Sequence, residues 1–100
     1  MMNKPKMHNV KLNIWYADAV NDGIKPFEVR ENDRLYQKGD LVRFTPVETR
    51  TGVEVNGKTY KYTVEVPHPV SEKTFEITYV MSGRGVSPEY VVLGIQEIEL

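Results

Sequence analysis

The chain of 100 residues contains no cysteine. A disulfide framework, a thiol nucleophile and a Cys-ligated zinc site are therefore excluded, and the composition fits a reducing compartment. Histidine is nearly as scarce. His8 and His68 stand far apart with no ligand spacing around either, so neither a metal site nor a Ser-His-Asp arrangement is expected. His68, set between Pro67 and Pro69, reads as exposed loop. No apolar run approaches the length of a membrane-spanning helix. The opening "MMNKPKMHNVKLNIW" carries basic residues but no apolar stretch of signal-peptide length. The expectation is a cytoplasmic protein with no membrane contact and no cofactor. There is also little net charge. A formal value of -1 gives no global pull toward nucleic acid, so any such binding must rest on a local patch. Internal repeats and low-complexity segments are missing too.

What is present suits one globular domain. A hydrophobic fraction of 40% and a charged fraction of 27% argue against whole-chain disorder. Residues 1–7 read as a loose N-terminal arm, and 8–100 as a single domain. "HNVKLNI" alternates, with Val10, Leu12 and Ile14 on one side: a half-buried strand. "WYADAVNDG" then predicts a short helix near residues 15–21, ended by Gly23. "PFEVR" alternates again, so Phe27 and Val29 share one face while Glu28 and Arg30 share the other.

"ENDR" and "QKGD" are turn sequences, and "LVRFTPV" is a strand ended by Pro46. Asn56-Gly57 lies between two alternating runs and predicts a two-residue type I′ hairpin turn. "KTFEITYVMS" places Phe75, Ile77, Tyr79 and Met81 on one face. "GRGVSPE" is a loop, and "YVVLGIQEIEL" is apolar enough at its start to be a central strand. Six or seven short strands and one helix, without strand–helix alternation, predict a mainly β (α+β) fold. The expected form is a small antiparallel barrel with the helix over one opening.

The stretch "GIKPFEVRENDR" crowds charge onto a strand and its exit turn. Pro26 biases Lys25 toward an extended backbone. Its ammonium could meet a phosphate or polarise a carbonyl, or be an ordinary exposed lysine. Arg30 presents a planar donor fork suited to phosphate or carboxylate, and Glu28 can accept from a base amino group or orient Lys25. The plain alternative is a surface ion pair worth about 0–1 kcal/mol. Arg34 is either a second phosphate contact or an arginine closing the turn onto Asp33 or Asp40. Trp15 reads as core, and Tyr16 as a stacking face for a base. Arg84, within "SGRGVS", sits in a glycine-rich loop that is a weak phosphate signal.

"GIKPFEVR" matches a Gly-x-Lys-x-x-Glu-x-Arg pattern, followed by "ENDR", "KGD" opening a strand and a closing "YVVLGI". In these features the chain resembles the ASCH superfamily, itself similar to PUA domains, and within it a small bacterial and prophage branch. The resemblance covers residues 8–45 and 74–96, leaving about 48–70 as a hairpin insertion. It implies a PUA-like barrel whose cleft binds RNA or a nucleotide-like ligand through the signature residues Lys25, Glu28 and Arg30. One branch hydrolyses an acetyl amide on a modified cytidine with a lysine, a threonine and a glutamate. Here the threonine position is Glu28, which weakens the carry-over of that activity. Three readings follow: a monomeric RNA- or nucleotide-binding module, a small amidohydrolase acting on a modified nucleoside, or a protein-interaction domain using the 48–70 hairpin. The first is preferred, and fold membership does not choose among them.

Overall fold

The computed structural model describes residues 4–100. It is mainly β, with six strands, one α-helix and one short 3-10 turn. The strands are β1 (Met7–Asn13), β2 (Phe27–Glu31), β3 (Leu41–Val53), β4 (Thr59–Glu65), β5 (Thr74–Met81) and β6 (Tyr90–Ile98). The helix α1 is Ile14–Asn21, and the 3-10 turn is Pro69–Glu72. The expected arm over residues 1–7 is shorter among the described residues. Met7 already belongs to β1, and the Lys6 backbone bonds both Asp40 and Leu41. Residues 1–3 lie outside the described part.

The sheet runs in the order β1-β3-β5-β6-β2, with β4 attached to β3. Four of its five ladders are antiparallel, but β1 pairs with β3 in parallel, Met7 opposite Leu41. The chain reaches β3 only after crossing through α1 and β2, which returns it in the same direction. No backbone ladder joins the end strands β1 and β2. They nevertheless meet, because Arg30 of β2 donates from Nη1 to the Lys11 carbonyl of β1 at 2.6 Å. The sheet is thus curled into a barrel with one seam, and that seam is bridged by the Arg30 side chain.

Alternation explains the core. Val10 and Leu12 of β1, Val42 and Phe44 of β3, Phe75 and Ile77 of β5, and Val91, Leu93 and Ile95 of β6 are all buried. Ala17 and Val20 of α1 and Val70 of the 3-10 turn cover them. Each large apolar side chain so buried contributes about 1.5–3 kcal/mol. Trp15 is not among them. It is 83% exposed, because Ala17 and Val20 rather than Trp15 form the inward stripe of α1. Helix α1 starts where the Asn13 side chain accepts from the Trp15 amide, and it stops at Gly23 with φ +74°.

Three local expectations are corrected. The run from Phe75 to Met81 does not keep one face inward, because the β5–β6 register slips between Ile77 and Tyr79. This bulge turns Tyr79 outward and packs Val80 against the core. Nor is the Asn56-Gly57 turn type I′, since Gly57 has positive φ and Asn56 does not. Glu54 bonds Lys58 across the loop and Gly57 donates to Glu54, so three residues connect the strands, with the bulge-forming glycine last. A backbone turn with positive φ at both central residues occurs instead at Arg84-Gly85, closed by Val86 onto Gly83. Finally, His68 is no plain exposed loop residue. Its Nδ1 accepts from the Val70 amide, capping the 3-10 turn, and its Nε2 meets Asp18 of α1 at 2.8 Å.

Candidate functional site

Strand β2 is inverted relative to a simple amphipathic reading. Its charged face points inward and its apolar face outward: Glu28 is 4% exposed, while Phe27 and Val29 are 43% and 51% exposed. The register with β6 explains this. Glu28 lies opposite Leu93 and Arg30 opposite Val91, both core residues, so the two charged side chains share the inner face of the sheet. They sit at its end, next to the seam, where no further strand supplies apolar cover.

The helix end delivers Lys25 to the same place. Past Gly23, the amides of Ile24 and Lys25 both donate to the Ala19 carbonyl, at 2.9 and 3.0 Å. Pro26 follows, and its carbonyl accepts from the Ile95 amide, which starts β2 along β6. With its backbone held at both sides, Lys25 directs Nζ onto Glu28 Oε1 at 2.5 Å. The ammonium also lies 4.6 Å from the Tyr16 ring centroid and 5.3 Å from that of Phe27. Arg30 Nη1 stands 3.8 Å from the other oxygen of Glu28. Arg30 Nε is buried without a hydrogen-bond partner among the described residues, an unused donor in a place where such groups are normally satisfied.

These groups border a hollow of about 310 Å³ lying between β1, α1 and β2. Tyr16, Lys25, Glu28 and Arg30 line it together with Leu12, Asn13 and Val29. Two cations against one carboxylate leave a single formal positive charge there. The site offers donors, one buried acceptor and an aromatic face in one recess. Lys25 also borders a second recess of about 160 Å³ on the side of Phe75 and Ile95.

The other two arginines singled out in the sequence do not line this hollow. Arg34 pairs with Asp33 at 3.5 Å and lies over the Tyr36 ring, so it closes its own turn. Arg84 is exposed in the β5–β6 loop. That loop meets the "ENDR" turn through the Asn32 amide and the Glu89 carbonyl, at 2.8 Å. The hydroxyls of Thr74 and Thr78 on β5 do not border this hollow. Thr74 is buried and accepts from Arg43.

The sequence reading missed a second polar cluster. His8 and Asp40 are both buried, with His8 Nε2 2.8 Å from Asp40 Oδ2. Asp40 also accepts from the Lys6 and Gln37 amides, and the His8 ring rests 4.8 Å from that of Tyr36. Burial works against ionising Asp40, but the hydrogen bond from His8 and the two backbone amides outweigh it, holding its pKa below the ordinary 3.8. The signal was present in the alternation of His8 with Val10 and Leu12, which puts His8 on the inward face of β1. Its partner, 32 residues on, comes into reach only through the parallel β1–β3 pairing. Among the described residues, no group of three or more His, Cys, Asp or Glu could hold a metal ion. No described helix is long and apolar enough to cross a membrane.

Comparison with known proteins adds one finding. No curated protein gives a match. The model of a domain-of-unknown-function family, DUF3850, matches residues 7–95, a span that takes in all of β1, α1 and β2 and therefore the whole hollow. The chain belongs to the DUF3850 family.

Proposed function

We propose that the hollow at the β1–β2 seam binds an unpaired base or chain end of RNA, or a free nucleotide-like ligand. One observation carries this reading: an ammonium, a carboxylate and a guanidinium, brought from a helix end and a strand, line one recess beside an exposed aromatic ring. Glu28 accepts from an exocyclic amino group. The Tyr16 side chain, 52% exposed, supplies a stacking face. Arg30, with an unpartnered Nε, and Lys25 meet an oxygen or phosphate of the ligand. The resemblance of "GIKPFEVR" to the ASCH signature supports the same reading. Threonine-based amide hydrolysis gains no such support, because no serine or threonine lines the hollow.

One net positive charge implies few phosphate contacts. The logarithm of affinity should fall with the logarithm of salt concentration by about 0.7 per phosphate neutralised, for one or two phosphates. The test is a titration of isotope-labelled protein with short single-stranded RNAs and mononucleotides, read from amide shifts. The expected result is shifts clustered at Tyr16, Lys25, Glu28 and Arg30. Tyr16→Ala should weaken binding by about 1–3 kcal/mol per stacked base. If no RNA, DNA or nucleotide moves those amides, the reading is wrong.

A further inference from the structure

Away from the hollow, β3 and β4 continue as a two-stranded ribbon in which β4 pairs, among the described strands, only with β3. Two-stranded ribbons are marginal by themselves. Six of the seven residues of β4 are exposed, Tyr60 and Tyr62 among them. Strand alternation puts those two tyrosines on the face that carries Val42 and Phe44 lower down β3. This ribbon continues the core-facing side of the sheet, and every β4 residue on it except Val64 is exposed.

The ladder fixes which backbone groups of β4 are spent. Val66 donates to Pro46, and Glu54 donates to Lys58. In an antiparallel pair, hydrogen-bonded positions recur every second residue. Tyr60, Tyr62 and Val64 therefore bond β3, whereas Thr59, Lys61, Thr63 and Glu65 turn their N–H and C=O groups toward a free edge. Such an edge is a template for another strand.

We infer that this edge pairs antiparallel with β4 of a second copy of the chain, centred on Thr63 opposite its own counterpart. Charge selects this register. Centred on Thr63, each Lys61 faces Glu65 of the other copy, twice by symmetry. Centred on Lys61, the two lysines would oppose each other, and centred on Glu65, the two glutamates would. The Thr63 register also sets Tyr62 opposite Val64 and brings the two Tyr62 rings within diagonal reach on the same face. The ribbon is itself charge-balanced, with Arg50, Lys58 and Lys61 against Glu48, Glu54 and Glu65. A four-stranded sheet of order β3-β4-β4-β3 results, joined by a contact small enough to make a weak, concentration-dependent dimer. This departs from the monomer expected of the sequence, and gives the 48–70 hairpin a partner.

Sedimentation of the full chain from micromolar to millimolar concentration tests it. The expected result is a reversible monomer–dimer equilibrium. Lys61→Glu should weaken it by at least about tenfold, and the double variant Lys61→Glu/Glu65→Lys should restore it to within about threefold, because two facing ion pairs become repulsive and then attractive again. Both positions are exposed, and unchanged thermal melts verify that the variants fold. The chain has no cysteine, so Thr63→Cys can cross-link only to itself, and under oxidation it should form a covalent dimer. A chain that stays monomeric throughout overturns the inference. So does a dimer indifferent to Lys61→Glu, or one that Thr51→Cys on the free edge of β3 traps faster than Thr63→Cys.

Discussion

The Arg30 guanidinium and the Lys11 carbonyl, 2.6 Å apart, join the two end strands of the sheet where the backbone does not. One side chain thus closes the barrel and walls the hollow. A charge-assisted hydrogen bond of this kind is worth about 1.5–3 kcal/mol. Arg30→Ala should lose that much in urea unfolding, with faster amide exchange in β1 and β2. Arg30→Lys should recover little, since an ammonium lacks the planar fork. Full recovery by lysine would show that charge alone, not reach and geometry, holds the seam.

Glu28 is the counter-charge for two cations. Removing it leaves Lys25 and Arg30, both partly exposed, facing each other without compensation, a loss of about 1–3 kcal/mol. Lys25→Ala should cost less, because Glu28 keeps Arg30 at 3.8 Å. Denaturant midpoints of Glu28→Ala and Lys25→Ala give the ranking, and the reverse order would contradict the buried-carboxylate account.

Asp40 should shape the acid limb of stability. Its folded pKa is depressed, so the unfolded carboxyl takes up its proton first as pH falls. The stabilisation is fully present above the ordinary value of 3.8 and is lost as pH drops through the lower folded value. Unfolding free energy measured between neutral pH and about pH 2 should therefore decline less steeply at its acid end in Asp40→Asn than in the parent. Identical slopes would mean that other carboxylates carry the whole effect.

Gly94 sits opposite the β5 bulge. A Cβ there would lie 2.8 Å from Thr78 Oγ1 and 3.3 Å from Tyr79 Cβ. Gly94→Ala should destabilise by about 1–3 kcal/mol, as overpacking does. Thr78→Ala in the same chain should return part of that loss by removing the oxygen. At Gly52 the colliding atoms belong to the ring of Tyr60, an exposed side chain that can swing aside, so Gly52→Ala should cost much less.

Helix α1, its glycine stop and most strand positions were legible because they depend on local signals: alternation, caps and turn residues. The orientation of β2 was not. "PFEVR" predicts the same alternation whichever face turns inward, and only the pairing of Glu28 with Leu93 decides. Of the residues that the sequence singles out, Lys25, Glu28, Arg30 and Tyr16 border one recess, whereas Arg34 and Arg84, which stand out by charge and glycine content, lie elsewhere. The exposure of Trp15 escaped because small residues, Ala17 and Val20, take the inward stripe of α1. His8 and Asp40 escaped because their contact depends on a parallel ladder that no nearby sequence announces.

The order of strands has a consequence for how the protein comes into being. Among the described strands β2, which carries two of the recess-lining charges, has only β6 as a ladder neighbour, and β6 is the sixth of them in order. On a ribosome the earlier segments wait without a completed wall until β6 emerges and inserts between β5 and β2. The recess is therefore completed only once β6 is in place, and a nascent chain interrupted before Tyr90 holds Glu28 and Arg30 with no neighbouring strand to set them.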